Sequence, residues 1–229
     1  MLTTALWTIF HNVALLQICY SIYLFYIVVN YDLINMGMNI YCNNLNFNQQ
    51  PFDEWFDYTK LSKDIHSILP VNLLNLNYVE FLKSVGIFVS WIDVFYKKAS
   101  ELKANGIHTD DFGRDCPDEN KGGDYVKINY IYGGKDSIMQ WWKPNISSVN
   151  KMPLISSGGR PYLPYTEDEV DLVYESPLRG PSLVQVGVPH SIYNPIEERW
   201  AVCFVLRNTT TQKRMTMFDA YHNLKDFIV

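Results

Sequence analysis

The sequence predicts a mainly β fold with flanking helices (α+β), arranged as an antiparallel sandwich or jelly roll. Helically spaced apolar residues cluster before Gly86 and again after Arg214. Between them, short runs rich in β-branched and aromatic residues alternate with Gly, Pro and Asn turn signals. Hydrophobic residues make up 48% of the 229 and charged residues 19%, which suits one sizeable core. Helices followed by many strands point to segregated layers rather than alternating βα units.

The first element stands apart. Val13 to Val29 (VALLQICYSIYLFYIVV) has only Gln17 and Ser21 as clearly polar residues, a length at the lower limit for crossing a bilayer. No Lys or Arg precedes Lys60, so the run has neither a positive flank nor the n-region of a signal peptide. Three readings stay open: a membrane anchor, a buried N-terminal helix, or an extension upstream of a working protein that begins at Met36 or Met38. The chain accordingly divides into a hydrophobic segment, 1–37, and a folded domain, 38–229.

Within that domain, 39–50 is polar and Asn-rich and reads as a short strand or loop. Phe52, Trp55, Phe56, Leu61, Ile65 and Ile68 recur at near-helical spacing and predict a helix over Phe52–Leu69, closed by Pro70. A second helix is predicted over Leu73–Val85. Strands follow at Ile87–Tyr96 and at Tyr125–Tyr132, where Gly133-Gly134 signals a turn and Ser137–Trp142 is expected to return as its hairpin partner. Pro144–Tyr165, with four prolines and adjacent glycines, reads as a long loop over one face. Asp171–Glu175, Ser182–Val188 and Arg199–Arg207 read as further strands. Met215–Phe227 closes the chain as a helix with Met217, Phe218, Tyr221, Leu224 and Phe227 on one side.

The net charge of −5 argues against a phosphate backbone as the main partner, and there is no clear nucleic-acid footprint. Cys19, Cys42, Cys116 and Cys203 are scattered without metal-ligand spacing and read as free thiols in a reducing compartment. The expected location is therefore cytoplasmic, with membrane association through 1–30 under the anchor reading. The acidic run Asp110, Asp111, Asp115, Asp118, Glu119 lacks the ordered spacing of a calcium loop and reads as a solvated loop.

The chemistry is carried by four residues. His108 and Asp110 stand in Gly-Ile-His-Thr-Asp, His190 follows tens of residues later, and Arg199 lies nine positions beyond it. On an extended segment, residues two apart project to the same side, so His108 and Asp110 can serve one ion. With His190 they supply the two imidazoles and one carboxylate of a facial iron(II) triad, which leaves coordination positions open. Arg199 opens a strand whose alternation puts Ala201, Cys203 and Val205 on its own face, leaving room for a small carboxylate beside the guanidinium. The bland alternatives are a surface turn for His-x-Asp, a half-buried imidazole for His190, and an ion pair with Glu197 or Glu198 for Arg199.

In this order and spacing the chain resembles the iron(II)/2-oxoglutarate-dependent dioxygenases. The segments IHTD, INYIYGG, MQWW and VGVPHSIYNPIEERWAVCFVL are similar to uncharacterised, often phage-encoded, members of that superfamily, and the match spans Phe88 to Leu206. The resemblance implies a double-stranded β-helix, a cupin-like jelly roll with the metal inside its mouth. It implies Fe(II) held by His108, Asp110 and His190, with 2-oxoglutarate as co-substrate, O₂, and an unknown substrate that is hydroxylated as 2-oxoglutarate is oxidised to succinate and CO₂. It assigns Arg199 to the C5 carboxylate of 2-oxoglutarate and a second contact to Asn129, or to Tyr130 on the opposite face if the register differs. Trp141 and Trp142 are candidates to wall the pocket or to sit in the core. Two rival readings remain: a non-catalytic jelly-roll structural or binding module of viral type, and a cupin-type enzyme that does not use 2-oxoglutarate.

Overall fold

The computed structural model describes residues 37–99, 106–110, 125–145, 151–157, 159, 161–193 and 196–229. Segment 1–36, Cys19, Cys116 and the acidic run after Asp110 lie outside them. The chain divides into two units, Met1–Asn39 and Ile40–Val229, and the second carries every described helix and strand. Among the described residues no helix is long and apolar enough to cross a membrane.

Two six-stranded antiparallel sheets form the β-sandwich. Strands are numbered in chain order. Sheet I runs β1 (Cys42–Asn44), β10 (Ser182–Gln185), β5 (Val126–Gly133), β12 (Arg199–Asn208), β3 (Ile87–Lys97), β2 (His66–Leu69). Sheet II runs β7 (Leu154–Ile155), β8 (Pro161–Tyr165), β4 (Ile107–Asp110), β11 (His190–Tyr193), β6 (Ile138–Pro144), β9 (Val170–Pro177). From β3 to β6 the chain changes sheet at every step, and it does so again from β9 to β12.

β12 shows why the sequence folds this way. Its first eight residues, all but one of them apolar, are buried, because β5 pairs with one edge, β3 with the other, and both faces are covered. Trp200 and Phe204 project outward onto an aromatic layer: Tyr58 lies 5.5 Å from Trp200, and Phe52 and Tyr78 each lie 5.9 Å from Phe204. Tyr78 belongs to α1 (Leu76–Ser84), whose Asn75 cap accepts a hydrogen bond from the Asn77 amide. Arg199, Ala201 and Cys203 project the other way, toward sheet II. Between the sheets, Cys42 and Val184 from sheet I pack with Met139 and Trp141 from sheet II.

Several expectations are corrected. Phe52–Leu69 is not a helix: it holds a single 3₁₀ turn at Tyr58–Lys60, and His66–Leu69 pairs with β3 instead. The edge hydrogen bonds of β3 outweigh a helical pattern that carried Pro70 at its end. Ser137–Trp142 does form a strand but does not return beside β5. That place belongs to β12, and Gly133 and Gly134, both at positive φ, turn the chain into the other sheet. The Pro-rich loop contains β7 and β8, which lie at and next to an outer edge of sheet II, where prolines are tolerated. In α2 (Met217–Leu224) the buried side is Met217, Ala220, Tyr221 and Leu224, whereas Phe218 is exposed.

Candidate metal centre

β4 and β11 are neighbours in sheet II, and their single cross-strand partnership is His190 with His108. The two imidazole rings stand 4.6 Å apart, centre to centre. Each ring is oriented by a backbone carbonyl two residues before it. His108 Nδ1 is 2.7 Å from Gly106 O, and His190 Nδ1 is 2.9 Å from Val188 O. A carbonyl can only accept, so both Nδ1 atoms carry the proton and both Nε2 lone pairs are left for another purpose. They face one oxygen: Asp110 Oδ1 is 3.3 Å from His108 Nε2 and 4.0 Å from His190 Nε2. One donor atom from each of the three residues falls within 4.8 Å of the other two, a group able to hold a metal ion.

The electrostatics fit a cation in the middle. Burial alone would raise the Asp110 carboxyl, but Lys127 and the two imidazoles reverse this and hold it well below the usual range. Burial pushes His190 down to about 4, with His108 beside it adding to the effect, so this imidazole stays neutral. For His108, burial lowers the value, but the hydrogen bond and charge of Asp110 win and the net direction is upward.

Two cavities meet at these residues. An inner one of about 40 Å³ is lined by His190, Arg199, Asn129, Ala201 and Cys203, with Lys97 and Lys127. An outer one of about 420 Å³ opens past His66, Phe95, Ile155, Pro161, Tyr162 and Tyr165. His108, Asp110 and Lys127 line both.

Arg199 is 3% exposed, and burial pulls its guanidinium down to about 10, which leaves it charged at neutral pH. No carboxylate pairs with it among the described residues, and its Nε has no hydrogen-bond partner. Glu198, its neighbour, turns outward to Lys63 at 2.8 Å and Tyr96. Asn129 Oδ1, buried in the same inner cavity, is also unpartnered. Buried polar groups are ordinarily satisfied, so this pair calls for a ligand with both charge and hydrogen-bonding capacity. Tyr130 is different. It projects from the opposite face of β5, where its hydroxyl donates to Tyr78 Oη at 3.2 Å, and it lines neither cavity. Trp141 donates to Gln185 O and Trp142 to Ser191 Oγ; both are packing residues rather than cavity walls.

Sequence reasoning missed a buried ionic network beside the triad. Lys127 Nζ lies 2.8 Å from Asp93 Oδ2 and 2.8 Å from Asp110 Oδ2. Asp93 Oδ1 meets His66 Nε2 and Trp91 Nε1, each at 3.0 Å, and His66 Nδ1 continues to Ser156 Oγ at 2.7 Å. A charged residue at an inward position of a predicted core strand was the available signal: Asp93 in IFVSWIDVFY and Lys127 in YVKINYIY. Cys42 and Cys203 are buried thiols outside any disulfide, and burial pushes the Cys203 thiol up to about 12, so it does not compete as a thiolate ligand. No protein-family model, no curated protein and no solved structure matches this chain.

Proposed function

We propose that this chain is an Fe(II)/2-oxoglutarate-dependent oxygenase acting on an unknown substrate, built on a double-stranded β-helix. The observation that carries the reading is the pairing of two sites in one interior. Two imidazoles and a carboxylate stand beside a buried arginine that meets no carboxylate among the described residues. The winding supports the fold: eight strands, four per sheet, with the chain crossing between sheets in both halves.

His108, Asp110 and His190 hold the iron, whose role is to activate O₂ against a C–H bond as 2-oxoglutarate is oxidatively decarboxylated. Arg199, with Asn129 beside it, anchors the C5 carboxylate and so orients the keto acid end toward the triad. Charge favours a dianion there. The cavity walls carry Lys97, Lys127 and Arg199 against Asp93 and Asp110, and a divalent metal adds two more positive charges. The outer chamber, walled by Phe95, Ile155, Tyr162 and Tyr165, admits the substrate and keeps water from the reacting centre. A cupin acting directly on its substrate has no fixed need for Arg199, and a purely structural module has no need for either site.

The test is an anaerobic Fe(II) titration with 2-oxoglutarate, read as the visible metal-to-ligand absorption band. The band is expected with the wild-type chain, and its absence at saturating concentrations overturns the reading.

A further inference from the structure

We propose that Lys127 is a positioning residue that restricts Asp110 to one-oxygen ligation and thereby keeps a coordination position open at the triad. This rests on the reading that His108, Asp110 and His190 hold a divalent metal.

The two oxygens of Asp110 face different partners. Oδ1 looks toward His108 Nε2 and His190 Nε2, while Oδ2 takes the Lys127 ammonium at 2.8 Å. The lysine arrives from β5 in sheet I and the carboxylate from β4 in sheet II, so the contact spans the sandwich. The Lys127 and Asp93 side chains are only 2% and 1% exposed, and Asp93 is itself fixed by Trp91 and His66. The ammonium is therefore held rather than swinging in solvent.

Three single-atom donors leave three positions on an octahedral ion. A keto acid bound through two oxygens needs two of them, and O₂ needs the third. A carboxylate that closed on the metal with both oxygens would remove one. Engaging Oδ2 in a charge-assisted hydrogen bond prevents this. The lysine's positive charge opposes metal binding, and Asp93 answers it by making the Lys127–Asp93 pair neutral overall. This accounts for an aspartate buried deep in β3, whose partners include Lys127, His66 and Trp91.

The test uses Co(II), which is inert to turnover and reports its coordination in the visible spectrum. Lys127→Met combined with Asp93→Asn removes both charges together, frees Asp110 Oδ2 and leaves no uncompensated charge at Asp93, and Lys127→Arg is the conservative control. The double variant is expected to bind Co(II) at least as tightly as wild type, while 2-oxoglutarate binds its Co(II) form at least 10-fold more weakly. Lys127→Arg is expected to stay near wild type in both. Parallel weakening of metal and co-substrate, or no change in either, overturns the inference. Infrared difference spectra of wild type on Co(II) uptake give a check independent of any variant: the carboxylate stretches of Asp110 should show single-oxygen ligation, and a two-oxygen signature sinks the idea. A wild-type chain that takes up no Co(II) overturns the metal reading and this inference with it. Normal uptake with an unaltered double variant overturns this inference alone.

Discussion

Gly134 lies against the stem of Arg199: a Cβ at Gly134 would stand 2.6 Å from Arg199 Cβ and 2.9 Å from its Cδ. The turn that sends the chain from sheet I to sheet II thus also makes room for the guanidinium. Gly134→Ala would meet this contact at a φ of +59°. We expect a loss of about 1–3 kcal/mol in chemical denaturation, from left-handed strain plus the displaced stem. Weaker 2-oxoglutarate binding should accompany it.

Arg199→Met removes the charge and keeps most of the bulk. Losing a charge-assisted anchor should cost about 2–3 kcal/mol of co-substrate affinity, roughly 30- to 150-fold. Metal affinity should change little. Calorimetric titration of the Co(II)-loaded variant decides it, and an unchanged 2-oxoglutarate affinity would remove Arg199 from the site.

His108→Ala and His190→Ala should each weaken Co(II) binding by more than the roughly 10- to 100-fold typical of losing an outer partner of a metal ligand. Both side chains sit between the sheets without filling the main apolar clusters, so circular dichroism should remain that of the folded protein.

Asn129 and Tyr130 separate cleanly. Asn129→Ala should weaken 2-oxoglutarate binding, because its amide lines the inner cavity. Tyr130→Phe should leave that affinity unchanged and cost about 1 kcal/mol of stability for the lost bond to Tyr78. The opposite ranking would mean that the β5 register is wrong.

The Lys127–Asp93 pair predicts an acid limb. Burial pushes Asp93 upward, but Lys127 and the His66 hydrogen bond more than reverse it and hold the carboxyl at about 2, against an ordinary 3.8. A depressed value stabilises the fold fully above the ordinary one, and that contribution is lost as pH falls from about 4 toward 2. It is worth about 2 kcal/mol by linkage. Denaturant midpoints should fall across that window in wild type and less steeply in the Lys127→Met, Asp93→Asn double variant. Lys127→Met alone takes the ammonium from two buried carboxylates, Asp93 and Asp110, and should cost about 3–5 kcal/mol, part of it restored by adding Asp93→Asn.

Strand alternation was legible in β12, where Arg199, Ala201 and Cys203 do share the cavity side. The convergence of His108, Asp110 and His190 was legible as well, since residue types and order suffice to nominate a ligand set. Less visible was what depends on partners distant in the chain. His66–Leu69 carries helical spacing, and only pairing with β3 makes it a strand. The turn residues Gly133 and Gly134 announced a reversal but not which sheet would receive it. Lys127 looks like any strand lysine until Asp93 and Asp110 are brought to either side of it.

The His190–His108 partnership has a further consequence. Side chains on a strand alternate, so slipping β11 by one residue against β4 would swing one imidazole to the outer face and leave the pair unable to share an ion. Cation uptake is therefore a proofreader of zipper alignment, and a thermal upshift on adding Co(II) would report that two distant stretches of chain have mated in the right phase.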